Sequence, residues 1–190
     1  MPARQSLLRA VLIMAMLLAS WLGMQAVHEL GHVLGARLTG GEVARVVLHP
    51  LTLSRTDLAR NPHPLPVVWL GPAFGAIAPL LLWGFALLVK LPGAFVLRFF
   101  AGFCLIANGV YIGIGSLAGV GDCGDLLRHG APIWQLGLFG AVTAPLGLWL
   151  WNGLGRHFGL GPQANPISPT VVGIVAAIAV VLFVNGLVIG

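Results

Sequence analysis

The sequence predicts an all-α polytopic membrane protein with about five transmembrane helices and a short β-hairpin after the first. Two observations carry this prediction. Charged residues make up 8% of the 190-residue chain and hydrophobic residues 58%, whereas a soluble globular domain carries about 25% charged residues. Five segments are also apolar over the roughly 20 residues that a helix needs to cross a bilayer. We expect a single domain, residues 1–190, embedded in a membrane.

The predicted spans follow from the apolar runs. They are Leu7–Val27, which continues through the sequence HELGH, then Pro66–Val89, Ala94–Val120, Ile133–Trp151 and Pro169–Ile189. Glycine is frequent within them, because small residues let membrane helices pack closely.

The linker after the first span predicts the β-hairpin. Gly40-Gly41 is a helix stop. EVARVVLHP and LTLSRT then read as two short strands over residues 42–56, around His49-Pro50, because they are rich in β-branched residues. The hairpin either tucks onto the membrane surface or offers an edge with which another extended segment pairs.

The net charge of +5 reflects a scarcity of acidic residues rather than a basic patch. Nucleic acid is therefore not an expected partner. Lysines and arginines divide equally between the two sides of the predicted topology, so the positive-inside rule assigns no orientation. The two cysteines, Cys104 and Cys123, form no disulfide framework.

The motif His28-Glu29-Leu30-Gly31-His32 places three ionisable side chains at the end of the first apolar segment. Each costs about 2.5–3.5 kcal/mol or more to insert alone in a membrane, so a shared function is expected. Residues i and i+4 lie on one face of a helix, and His28 and His32 can therefore bind one metal ion. Glu29 can then act as general base on a zinc-bound water, as in H-E-x-x-H zinc proteases. The alternative is a chance match in which each histidine only forms hydrogen bonds within the bundle.

A catalytic zinc site usually takes three protein ligands and leaves a fourth position open. We expect Asp122 to be the third ligand, because it follows the third span in a glycine-flanked stretch where the backbone can leave the helix. Asp125 is the alternative metal ligand; otherwise it is a carboxylate at the start of a short helix, stabilised by the helix dipole. The remaining candidates are Cys123, His129, His49 and His63.

Three stretches together resemble one known family. The HELGH motif matches a zinc motif at the end of a membrane helix. WLGPAFGAIAPL (69–80) is similar to a Gly-Pro-containing second core helix, and NGVYIGIGSLAGVGDCGDLL (108–127) to the Asn-then-Asp stretch of a third. The family is the M50 intramembrane metalloproteases, the site-2 protease family, and most of all its small M50B-like members. The resemblance covers a core of roughly residues 10–130, with additional helices over 131–190, and aligns Asp122 with the family's metal-binding aspartate.

The chain also departs from the family pattern. Cys123 follows Asp122 where the family commonly has glycine. Asn108 lies 14 positions before Asp122 with no proline between them, whereas the family's asparagine lies nearer and is commonly followed by proline. Asn108 is a candidate for orienting substrate; the alternatives are a cap on unwound backbone and an interhelical hydrogen bond.

The resemblance implies an intramembrane zinc endopeptidase that uses Zn²⁺ to cleave a membrane-spanning protein, as in regulated intramembrane proteolysis. It implies a multi-pass protein of a bacterial-type cytoplasmic membrane, in contact with lipid, with loops 39–65 and 121–130 on the cytoplasmic face. No oligomeric state is predicted. Two other functions are open: a catalytically idle membrane adaptor of the same fold, and a metal or ion transporter that uses the His/Asp cluster.

Overall fold

Five helices of the computed structural model, which describes residues 2–189, are long and apolar enough to cross a membrane. The elements in chain order are α1 (Pro2–Leu38), β1 (Glu42–Val47), β2 (Arg55–Arg60), α2 (Pro64–Leu88), α3 (Ala94–Gly115), α4 (Gly121–Arg128), α5 (Ile133–Trp151), a 3-10 helix (Leu154–Phe158) and α6 (Pro169–Ile189). The predicted fold class is confirmed: the chain is helical, with one small antiparallel sheet after the first helix.

Many large apolar side chains project outward from the long helices, outside the buried core. Leu81 on α2, Leu148 on α5 and Val180 on α6 are all more than half exposed. Lipid solvates such a surface and water does not. Together with the five spans, this surface indicates a multi-pass membrane protein.

The long helices pack in a continuous series. Helix α1 packs on α2 and α6, and α3 packs on α2 and α5. Helix α1 meets α3 less extensively, so a cavity remains between them. One buried cluster joins α1, the 3-10 helix and α6, and includes Leu12, Met16, Phe158 and Val175.

Helix α1 runs well beyond the apolar segment that predicted it. The 37-residue helix ends at Leu38, and the chain then turns at Gly40, which has a φ of 76°. Glycine adopts this left-handed conformation at no steric cost. The Gly41 amide donates to the Ala36 carbonyl at 2.7 Å and closes the helix end. The HELGH motif therefore lies in regular helix, and its side chains project with helical spacing.

The second strand of the hairpin begins later than predicted. Residues 48–54 connect the two strands, and β1 and β2 pair through Val47 with Arg55 and Val46 with Thr56. Pro50 has no amide to give to a ladder. Just before β2, the Ser54 amide donates to the Gln25 side chain of α1, at 3.2 Å, and not to β1. The turn is thus held against α1 by a side-chain contact before the strand starts.

Helix α3 also ends earlier than its apolar run, at Gly115 instead of Val120. Two glycines with positive φ, Gly119 at 62° and Gly121 at 58°, lead into the short helix α4. Cys123 and Leu126 anchor α4, because both are fully buried against α2, α3 and α5. This anchoring fixes the first turn of α4, which carries Asp122.

Candidate metal centre

Three potential ligand atoms from α1 and α4 converge on one point. The Nε2 atoms of His28 and His32 lie 3.0 Å apart. Oδ2 of Asp122 lies 2.8 Å from His28 Nε2 and 3.3 Å from His32 Nε2. Asp122 is 94 residues from His28 in the chain, so the fold of α3 and α4 creates this cluster. Both histidines are buried.

The other ring nitrogen of each histidine is already engaged. His28 Nδ1 lies 2.7 Å from Oδ1 of Asn108, and the Asn108 Nδ2 donates to the Cys104 carbonyl at 2.8 Å. His32 Nδ1 lies 3.0 Å from the Val67 carbonyl. A carbonyl only accepts, so Asn108 must present its oxygen to His28, and both histidines must donate from Nδ1.

This assignment leaves both Nε2 lone pairs, together with the Asp122 carboxylate, facing one another. Such an arrangement is repulsive unless a metal cation or a proton lies between these atoms. Zinc binds His nitrogen at about 2.0–2.1 Å and carboxylate oxygen at about 2.0–2.2 Å. Ligand atoms of a tetrahedral zinc site are therefore about 3.3 Å apart. The observed separations of 2.8–3.3 Å fit one ion with little adjustment. The donor set of two imidazoles and a carboxylate also suits zinc.

Asp122 is held as a carboxylate. With no cation bound and a proton on the histidine Nε2 atoms, burial by itself would raise the pKa of Asp122, but hydrogen bonds from His28 and His32 and their positive charge hold that pKa below its usual value. The Asp122 backbone amide donates to the Tyr111 hydroxyl at 3.0 Å. Metal ligands must be deprotonated to bind, and Asp122 meets that condition at neutral pH.

Glu29 faces the hairpin next to the histidine pair. Its side chain is almost fully buried, at 3% exposure. The Ser54 hydroxyl donates to Oε1 and the Thr56 hydroxyl to Oε2, both at 2.7 Å. Glu29 and the three potential ligands line the same cavity of about 990 Å³. The walls of this cavity come from α1, the hairpin, α2, α3 and α4.

Asn108 contacts one of the potential ligands, whereas Asp125 pairs with an arginine of its own helix. Asn108 is 1% exposed, and its amide contacts His28 and its own helix. It therefore orients a potential ligand and forms an interhelical hydrogen bond, which is one of the alternatives that the sequence left open. Asp125 also borders the cavity, but its carboxylate pairs with Arg128 one turn along α4.

The remaining candidates for the third ligand lie elsewhere. The Cys123 thiol donates to the Tyr111 carbonyl at 3.1 Å, and burial raises the pKa of this thiol to about 11. His49 accepts a hydrogen bond from the Leu51 amide in the hairpin turn. His63 and His129 flank the ends of α2 and α4.

Two glycines of α2 border the site and were attributed to general packing from the sequence. A Cβ atom at Gly71 would collide with the His32 ring, and one at Gly75 would lie 2.9 Å from the amide atoms of Asn108. The Gly71-x-x-x-Gly75 spacing, which puts both on one helix face, was the signal available in the sequence. No sequence pattern indicates the role of Ser54 and Thr56. Their hydroxyls bond to Glu29 in another element, and the residues around them in the sequence give no sign of that contact.

The arrangement offers three metal ligands, a carboxylate beside them and a cavity large enough for a segment of polypeptide. Two histidines with fixed tautomers and an ionised aspartate can hold a divalent cation. Glu29 can take up or release a proton nearby. No protein-family model, no curated protein and no solved structure matches this chain significantly.

Proposed function

We propose that this chain is an intramembrane zinc endopeptidase that hydrolyses a peptide bond of a membrane-spanning protein. One observation carries the proposal: two imidazole Nε2 atoms and the Asp122 carboxylate meet at one point, while both Nδ1 atoms are committed to Asn108 and Val67. The resemblance of the HELGH and Asp122 stretches to the site-2 protease family supports the same function.

His28, His32 and Asp122 are the residues that would hold the zinc ion. When bound, zinc supplies a Lewis acid and lowers the pKa of a water in the open position to about 7. Asn108 and the Val67 carbonyl keep the two rings aligned, since hydrogen bonds on the far ring nitrogen set the tautomer and orientation of a ligating histidine.

Glu29 is the proposed general base. It follows His28 on the same helix and lines the same cavity. Its carboxylate accepts a proton from the attacking water as the water oxygen bonds to the scissile carbonyl carbon. The carboxylic acid then gives that proton to the departing amide nitrogen as the carbon–nitrogen bond breaks. General acid–base catalysis of this kind contributes about 10²–10⁴-fold to rate.

The cavity has the form that a peptide substrate requires. Apolar side chains of α1 and α3, including Trp21, Ile106 and Val110, line the cavity together with the potential ligands. A peptide bond in a helix hides its carbonyl in the backbone ladder, so the substrate must unwind before it is cut. A cavity lined by apolar side chains and by one polar cluster suits an unwound apolar segment.

The test is proteolysis by purified, zinc-loaded protein in liposomes. The probes are single-span reporter proteins, each a Leu/Ala-rich span with a helix-breaking Gly-Pro pair at a different depth. We expect wild type to cut at least one reporter, and Glu29→Gln to retain zinc and cut none. An adaptor or a transporter would not need the proton-accepting carboxylate. Cleavage by the Glu29→Gln variant at the wild-type rate, or no cleavage of any reporter by wild type, contradicts the proposal.

A further inference from the structure

The carboxylate of Glu29 is clamped at both oxygens by the hairpin. The Ser54 hydroxyl donates to Oε1 and the Thr56 hydroxyl to Oε2, each at 2.7 Å. These residues are 25 and 27 positions from Glu29 in the chain. Hydroxyl-to-carboxylate bonds of this length are charge-assisted and stronger than neutral ones. The clamp therefore ties a residue of α1 to the hairpin by two side-chain hydrogen bonds.

The spacing of the two hydroxyls suits this clamp. In extended backbone, residues i and i+2 point to the same face, so Ser54 and Thr56 project together toward α1. The Ser54 amide donates to Gln25, which lies one helical turn before Glu29. Thr56 is itself paired with Val46 in the sheet. Glu29 is thus held by a segment fixed on one side by α1 and on the other by β1.

The clamp orients Glu29 without blocking it. A carboxylate offers about four acceptor positions, and the two hydroxyls occupy two of them. With both oxygens bonded, the carboxylate plane cannot rotate about its last side-chain bond. A general base must lie within hydrogen-bonding reach of the proton that it takes, and a misplacement of about 1 Å can cost about 10²-fold in rate.

We propose that Ser54 and Thr56 are positioning residues for Glu29, so that the seating of the hairpin on α1 sets the alignment of the general base. This inference rests on the proposed function. It also links the cavity to the base, because residues 53–58 line the cavity. A substrate that shifts this segment as it binds also shifts the carboxylate.

The test compares variants with and without the hydroxyls. Ser54→Ala and Thr56→Val remove them, and Thr56→Val keeps the side-chain shape. Ser54→Thr and Thr56→Ser keep the hydroxyls. Thr52→Val is the matched control, since Thr52 lies in the same turn and its hydroxyl contacts only the His49 carbonyl, at 3.5 Å. The assay uses the reporter that wild type cuts, and measures kcat, KM and zinc content.

We expect the Ser54→Ala/Thr56→Val double variant to lose about 10- to 100-fold in kcat, with KM within about threefold of wild type and zinc unchanged. The hydroxyl-retaining variants and Thr52→Val should stay close to wild type. A contact that only docks the hairpin would change KM or stability and leave kcat intact. Wild-type kcat in the double variant overturns the inference, as does a loss confined to KM.

A second measurement needs no substrate and no active protein. Amide hydrogen exchange over residues 53–57 should become faster in Glu29→Ala, since the hairpin loses both side-chain anchors on that residue. Unchanged exchange there also overturns the inference. The two proposals fail separately. Activity in Glu29→Gln rejects the peptidase mechanism, whereas an inactive Glu29→Gln beside a fully active double variant rejects only the clamp.

Discussion

His28 Nδ1 lies 2.7 Å from Oδ1 of Asn108, 80 residues further along the chain. The bond points the opposite ring nitrogen, Nε2, at Asp122. Asn108 is not one of the three residues whose atoms converge at the candidate site, so its effect on metal binding must pass through the orientation of His28.

Asn108→Leu should weaken zinc binding by about 10- to 100-fold, the range seen when a hydrogen bond to a metal-ligating histidine is lost. Asn108→Asp keeps an acceptor for His28 Nδ1 and should bind zinc far more tightly than the leucine variant. Competition with a chelator of known zinc affinity measures the difference. Equal zinc affinity in wild type and Asn108→Leu would show that the His28 ring needs no such support.

The two aspartates of α4 should behave differently toward zinc. Asp122→Asn should lose the ion, because Oδ2 of Asp122 is the third atom of the cluster and a neutral amide is a much weaker ligand. Asp125→Asn should keep it, because Asp125 pairs with Arg128. Elemental analysis of the purified variants gives the zinc stoichiometry. The reverse pattern would move the metal site to Asp125.

Gly71→Ala should displace the His32 ring, because the new methyl group would collide with that ring. The expected result is loss of zinc binding together with lower thermal stability, since the alternative is a shift of α2 away from α1. Gly84→Ala is the control: it lies on the same helix, and a Cβ there meets no atom within 4 Å. Full zinc occupancy in Gly71→Ala would contradict the observed closeness of α1 and α2.

The hairpin and α4 should face the same side of the membrane, because both contact the same end of α1. Single cysteines at Arg45 and His129, in a variant with Cys104 and Cys123 replaced by alanine, should react with an impermeant thiol reagent from one side. Cysteines at Lys90 and Arg156, at the opposite ends of the helices, should react from the other. Labelling of Arg45→Cys and His129→Cys from different sides would contradict a shared site of His28, His32 and Asp122.

Much of the fold was predictable because hydropathy reports directly on membrane insertion. The predicted limits of Ile133–Trp151 and Pro169–Ile189 coincide with α5 and α6. Hydropathy does not locate a helix end that lies among polar residues or inside an apolar run. The Gly40-Gly41 stop, and not hydropathy, predicted where α1 ends, and the helix does end at Leu38. Helix α3 stops at Gly115 within an apolar run, ahead of two positive-φ glycines.

The candidate site was predictable only where its residues share one helix. Helical periodicity was enough to place His28 and His32 on one face. The convergence of Asp122 on them depends on how α4 packs, and the contacts of Ser54 and Thr56 with Glu29 depend on the register of the hairpin. The predicted strand over residues 51–56 would have begun before Ser54, whereas β2 begins at Arg55. A local pattern carries no information about such pairings across elements.

The length of α1 has a consequence for how lipid composition acts on this protein. Its 37 residues make a rod about 55 Å long, against a hydrocarbon thickness of about 30 Å, and the HELGH motif lies in its last third. Packing against α2 and α6 limits how far α1 can tilt to absorb a mismatch. Longer acyl chains therefore draw the histidine end further from the headgroups, and shorter chains leave it nearer to bulk water. Since the proposed hydrolysis would consume water, we expect its rate to rise as the bilayer becomes thinner.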